Sequence, residues 1–164
     1  MTKYKDFDIE LAKEKDYDEI EKLFTDIISK KESNLNYRDD FKLYPAFVAK
    51  KNGKIVAFYT SYLGNSKEHD IIAHLPNESL TNFGIIEYCF VIEEYRGNGL
   101  QAFLGKKLVD YIFKKNNNID RIYTAVHPQN IAGLRSLKKI GFQGFGCADL
   151  YGGKEGFILV EKEY

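Results

Sequence analysis

The chain has 164 residues, enough for one domain with a real core but short of two, and 44% of them are apolar. Its 24 basic and 24 acidic side chains cancel, which excludes a global field for nucleic acid or an anionic membrane and leaves any anion site to local chemistry. Cys89 and Cys147 fit no CxxC or CxxH spacing, so reduced thiols in a cytoplasmic protein are expected, and no cluster has the spacing of metal ligands.

The opening stretch MTKYKDFDIELAKEKDYDE carries a charge every few residues, unlike a signal peptide or a membrane span. Phe7, Ile9 and Leu11 alternate with charged residues and predict a first strand. Asp16, with Glu19 three positions on, offers a cap to a helix whose apolar face is Tyr17, Ile20, Leu23, Phe24, Ile27 and Ile28. NLNYRDDFKLYP has no sustained period and reads as a loop or a short second helix. AFVAKKNGKIVAFYTSYL predicts a hairpin, because Asn52 and Gly53 tolerate the positive φ of a tight turn. Residues Gly64 to Phe83 show no pattern, and a loop of that length implies a functional lid or an element not recognised.

Gly84 to Ile92 is apolar on both faces apart from Glu87, as a central strand would be. Leu100, Phe103, Leu104, Leu108, Tyr111 and Ile112 recur at helical spacing until KKNNN. Arg121 to Val126 predicts a strand, Asn130 to Ile140 a helix, and the tail a hairpin of Phe142 to Leu150 and Glu155 to Glu161 turning at Gly152 and Gly153. The expected fold is a single α/β domain over residues 1–164 with a mixed sheet.

Between the central strand and its helix lies VIEEYRGNGLQ. A helix start carries unpartnered N–H groups and partial positive charge, both suited to phosphate. Gly97 and Gly99 let a phosphate approach the backbone and permit the positive φ of an anion nest, while Arg96 adds a forked donor. A Walker loop is excluded, since five residues separate Gly99 from Gly105 and no Ser or Thr follows Lys106; a dinucleotide fingerprint fits poorly, with alanine at 102. A plain glycine-rich turn remains the alternative for the loop taken alone.

It does not stand alone, because HPQNIAGLRSLKKIGF follows at the end of the next strand. Together the two segments resemble the signatures of the GNAT superfamily, the acetyl-CoA-dependent N-acetyltransferases: a pyrophosphate loop at Arg96 and Gly99, and a helix with matching positions at Asn130, Gly141 and Phe142. Gln101 departs from the usual Gly or Ala, Gly133 from Ser or Ala, and Leu137 from a tyrosine whose hydroxyl often protonates the leaving thiolate. The resemblance implies a mostly antiparallel sheet of six to seven strands, a splayed central pair and about four helices.

It also implies acetyl-CoA as cosubstrate, with Arg96, Gly97, Asn98, Gly99, Leu100 and Gln101 on its pyrophosphate, and Phe90 and Val91 along its pantetheine arm. The Val91 N–H would polarise the thioester carbonyl, and Asn130 would cap its helix, contact the arm, or do both. The acceptor is expected to be a primary amine. Glu87, which strict alternation would place on the face of Cys89 and Val91, is the candidate base or substrate-orienting residue. Cys89 reads as a small filler rather than an acyl-enzyme nucleophile. His69 and His74 are expected at the surface unless they serve the substrate, His127 is expected to be structural, and Tyr37, Tyr44 and Tyr151 could line an acceptor cleft. The resemblance allows a homodimer, though no residue marks an interface. A CoA-binding module without turnover, or a binder of another nucleotide, remains open.

Overall fold

Among the described residues, seven strands and four helices follow in chain order: β1 (Asp8–Leu11), α1 (Tyr17–Lys31), β2 (Ala46–Lys51), β3 (Lys54–Tyr62), α2 (Asp70–Ala73), β4 (Phe83–Val91), α3 (Leu100–Lys115), β5 (Arg121–Val126), α4 (Ile131–Ile140), β6 (Gln143–Ala148) and β7 (Phe157–Glu163). The computed structural model describes residues 4–31, 39–77 and 80–164, without the side chains of 27–31 and 39. The strands form one sheet in the order β1-β2-β3-β4-β5-β7-β6. Every pairing is antiparallel except that of β4 with β5. The mixed, mostly antiparallel α/β sheet is the expected one.

Each face of the sheet carries helices because each face is apolar. Ala57 and Tyr59 point toward α3 and α4, where Leu104, Leu108, Ile112, Leu137 and Ile140 complete the largest core. Val48, Ile55 and Phe58 point the other way, onto Ile20 and Phe24 of α1. Alongside, Ile71 and Ile72 of α2 cover Phe83, Ile85 and Tyr123. Burying each of these large side chains stabilises the fold by about 2 kcal/mol before entropy is counted.

Two irregularities in β4 position the site. Its ladder with β3 slips between Tyr59 and Ser61, so Glu87 and Tyr88 together face Thr60, whose Oγ1 accepts the Tyr88 N–H at 3.1 Å. Such a bulge bends the strand and resets its alternation. The ladder with β5 ends after three partners, at Ile85 and Tyr123, while β5 continues to Val126 on its other side against β7. β4 and β5 therefore splay apart toward their C-terminal ends.

Several elements differ from the sequence reading. Asp16 does not cap α1. It accepts the Lys13 N–H at 2.9 Å and ion-pairs with Lys50 at 2.7 Å, while Glu19 accepts the Ile55 N–H at 2.9 Å. The nearly buried ammonium of Lys50 requires a counter-charge, and Asp16 supplies it together with Glu10 at 2.8 Å. α2 is the element hidden in the patternless stretch, too short for its period to register. β7 begins at Phe157, two residues beyond the expected start. Tyr37 and the side chains of Ile27 and Ile28 lie outside the described residues.

Candidate active site

The chain leaves β4 through a short 3-10 turn, Glu93–Tyr95, and enters α3 through Arg96 to Gly99. Gly97 and Gly99 both have φ of +78°, the left-handed region that only glycine enters at little cost. A Cβ on Gly97 would meet nothing within 4 Å, so its backbone lies open to a visitor. Gly99 is the N-cap of α3 and provides no side-chain cap, which leaves the first-turn N–H groups available to an anion. Asn98 is held by its carbonyl, which accepts from the Tyr4 hydroxyl at 3.0 Å. Arg96 Nε donates to the Val91 carbonyl at 2.8 Å and its guanidinium lies 5.8 Å from the Phe90 ring centroid.

This loop forms one wall of a cavity of about 520 Å³. The opposite wall is α4, which contributes Arg135, Ser136 and Lys139. With Arg96, that places three cations around one space, a charge arrangement suited to phosphates. Arg135 and Lys139 were missed in the sequence, although their four-residue spacing on a helix already implies a shared face.

The gap between β4 and β5 is a second cavity, of about 280 Å³, lined by Glu87 to Phe90 on one side and Thr124 to His127 on the other. It shares Cys89, Phe90, Gln101 and Asn130 with the first. The Ile92 N–H donates to the Val56 carbonyl at 2.9 Å, so the peptide groups of Ile92 and Phe90 face β3. Those of Val91 and Cys89 then face the gap. Among the described residues the Val91 N–H meets no strand partner there, since β5 has already diverged.

Asn130 is the N-cap of α4, its Oδ1 accepting the Gly133 N–H at 2.9 Å. A Cβ on Gly133 would come within 2.6 Å of the Asn130 amide nitrogen, which explains the smallest residue at that position. Leu137 is buried and lines the gap with carbon alone, so it offers no proton to a leaving group.

Glu87 departs from its expected face. The bulge turns it away from Cys89 and Val91 and toward α2, where its Oε1 lies 2.5 Å from His69 Nε2. His69 is likewise not at the surface: it is the N-cap of α2 and is 4% exposed. Its Nδ1 accepts the Ile71 N–H at 3.2 Å, so Nε2 carries the proton that Glu87 receives. The second oxygen of Glu87, Oε2, is buried and has no hydrogen-bond partner among the described residues. Glu87, Tyr88 and Tyr151 separate the gap from a third cavity of about 430 Å³. No sequence signal joins His69 to Glu87, because the bulge and the short helix that bring them together have no period.

Other candidates fall into place around this passage. Burial pushes the Cys89 thiol far above its ordinary range, leaving no thiolate for covalent catalysis. Burial first, then the charges of Glu87 and Asp70, raise the Tyr151 phenol as well. Tyr151 lines the passage with a backbone φ of +58°, uncommon for a tyrosine, whereas Tyr44 packs edge-on to Tyr62 and lies outside the third cavity. His74 is exposed and bonds the Asp70 carbonyl at 2.8 Å, while His127 stacks edge-on to Phe157 and accepts the Gln129 N–H at 3.2 Å. Among the described residues no group of side chains could hold a metal ion, and no helix is long and apolar enough to cross a membrane.

Fold and site together define an α/β protein in which a glycine-lined helix start opens onto a gap between parallel strands. The chain belongs to the acetyltransferase (GNAT) family, whose model matches residues 10–142. Among solved structures it is similar to a ribosomal-protein-S5-alanine acetyltransferase from Vibrio fischeri, at 19% identity over 98% of this chain and 94% of that one, with a TM-score of 0.71. It is also similar to a GNAT-family acetyltransferase from Streptococcus pneumoniae, at 16% identity, 96% and 99% coverage and a TM-score of 0.68. A third, Naa50 of Arabidopsis thaliana in complex with the bisubstrate analogue CoA-Ac-MVNAL, is 17% identical with 97% and 99% coverage and a TM-score of 0.67. No protein of curated function matches the sequence.

Proposed function

We propose that the chain, one domain over residues 1–164, is an N-acetyltransferase that moves the acetyl group of acetyl-CoA directly to a primary amine. The observation that carries this reading is the run of three adjoining cavities, in which Cys89 and Phe90 line both the first and the middle one and Val91 lies beside them in the first. At one end are the amides of the Gly97 to Gln101 segment and the cations of α4; at the other is the Glu87 oxygen that has no hydrogen-bond partner among the described residues. The family and a relative bound to a CoA bisubstrate analogue support the cosubstrate. Both cysteines are free, which supports a reducing, cytoplasmic setting.

In this reading the pyrophosphate takes the N–H groups at the start of α3, and the pantetheine amides pair with the gap-facing peptides of Cys89 and Val91 like an added strand. Asn130 keeps the first turn of α4 in place beside the arm. The amine nitrogen attacks the thioester carbon, and the Val91 N–H stabilises the oxygen as it gains charge, contributing about 3 kcal/mol. Glu87 Oε2 receives the amine and accepts its proton. The N–C bond forms, the C–S bond breaks, and the proton lost by nitrogen balances the thiol released.

Leu137 favours a second reading, a CoA-binding module without turnover, because carbon stands where a donor is usual. One experiment separates the two. Thiol release from acetyl-CoA is followed across a panel of amines, with CoA binding measured alongside. Saturable CoA binding with amine-dependent release is expected; binding without release would establish the module, and equal affinity for ATP and CoA would point to another nucleotide.

A further inference from the structure

The third cavity has its own chemistry. Its walls include Asp40, Glu68, Asp70 and Glu87, together with the rings of Tyr62, Tyr88 and Tyr151. No Lys or Arg among the described residues lines it. Neither Glu68 nor Asp70 is ion-paired among the described residues, although the chain as a whole has zero net charge. Glu68, Asp70 and Glu87 are arranged by depth. Glu68 is exposed at the mouth, Asp70 is half-buried, and the Glu87 side chain is 6% exposed at the junction with the gap.

Glu87 turns this acidic surface into a site. Its Oε1 is satisfied by His69, but Oε2 is buried without a donor among the described residues, an arrangement that costs free energy unless a ligand completes it. An ammonium or amine N–H is the donor that fits, and it would arrive beside the gap that the Val91 N–H faces. Around it, aromatic walls suit a methylene chain and a cation over a ring. The same carboxylates would repel an acceptor bearing its own carboxylate.

We infer that the acceptor is a linear diamine or polyamine: one amine reaches Glu87 Oε2 at the gap, and a second ammonium group rests between Glu68 and Asp70 at the mouth. This inference rests on the transfer reading for its chemistry, but it has an independent binding test.

The full chain is assayed for thiol release with 1,5-diaminopentane, pentylamine and lysine, and binding of each amine to the CoA complex is measured by calorimetry. The diamine is expected to exceed pentylamine at least tenfold in kcat/KM, with lysine lower still. Glu68→Gln is expected to reduce that ratio threefold or more. Pentylamine or lysine used as well as the diamine would overturn the inference, as would a ratio that Glu68→Gln leaves intact. If no amine releases thiol, the transfer reading fails and binding alone decides. Diamine binding weakened by Glu68→Gln sustains the cleft assignment, and absence of diamine binding ends it.

Discussion

On its two sides the gap between β4 and β5 is built by different means. The side assigned to CoA is made largely of main chain: two left-handed glycines, a helix start without a side-chain cap, and peptide groups left over where a parallel ladder stops. The side proposed for the acceptor is made of side chains brought together from distant segments, with Glu87 and His69 joined through a bulge and a one-turn helix. Main-chain recognition depends on a few backbone angles and tolerates most side-chain change. Side-chain recognition depends on tertiary placement and can differ among proteins that share the same frame. The difference is compatible with the same fold at 16–19% identity.

The largest expected effect breaks the first half of that comparison. Gly99→Val forces a β-branched residue to φ of +78° at the helix start, so the loop must rearrange. CoA affinity, measured by calorimetry, is expected to fall about a hundredfold, or about 2.7 kcal/mol. Unchanged affinity in a folded variant would remove the main-chain account of the site.

A smaller effect sharpens the second half. Glu87→Gln keeps an acceptor for His69 Nε2–H through its carbonyl and replaces the other carboxylate oxygen with an amide NH2, which cannot accept a proton. Steady-state thiol release is expected to lose about thirtyfold in kcat/KM, somewhat less than the roughly hundredfold at which the typical contribution of a general base begins, while CoA affinity stays the same. A parallel loss of CoA affinity would show that the two sides are not separable as described.

The same division decides what could be read from the sequence. The loop was legible because backbone geometry writes itself into residue type: Gly97 and Gly99 stand where φ is positive, and Asn130 where a helix needs a cap. The strands and long helices were legible from their periods, with β5 matching from Arg121 to Val126 and α3 running from Leu100. The acceptor side was not. Alternation put Glu87 on the face of Cys89, and a single extra residue opposite Thr60 reversed it. His69 looked like a surface residue because α2, four residues long, has no period to reveal its buried side. Asp16 looked like a cap because its true partner, Lys50, is on another element.

The central claim is that main-chain nitrogens at the start of α3 hold the diphosphate of CoA. Backbone amide resonances followed during titration with CoA test it most directly. The amides of Gly97 to Gln101 are expected to show the largest shifts, moving together with those of Cys89 and Val91. Saturable binding that left the Gly97 to Gln101 amides unmoved, with its shifts elsewhere on the chain, would contradict the account.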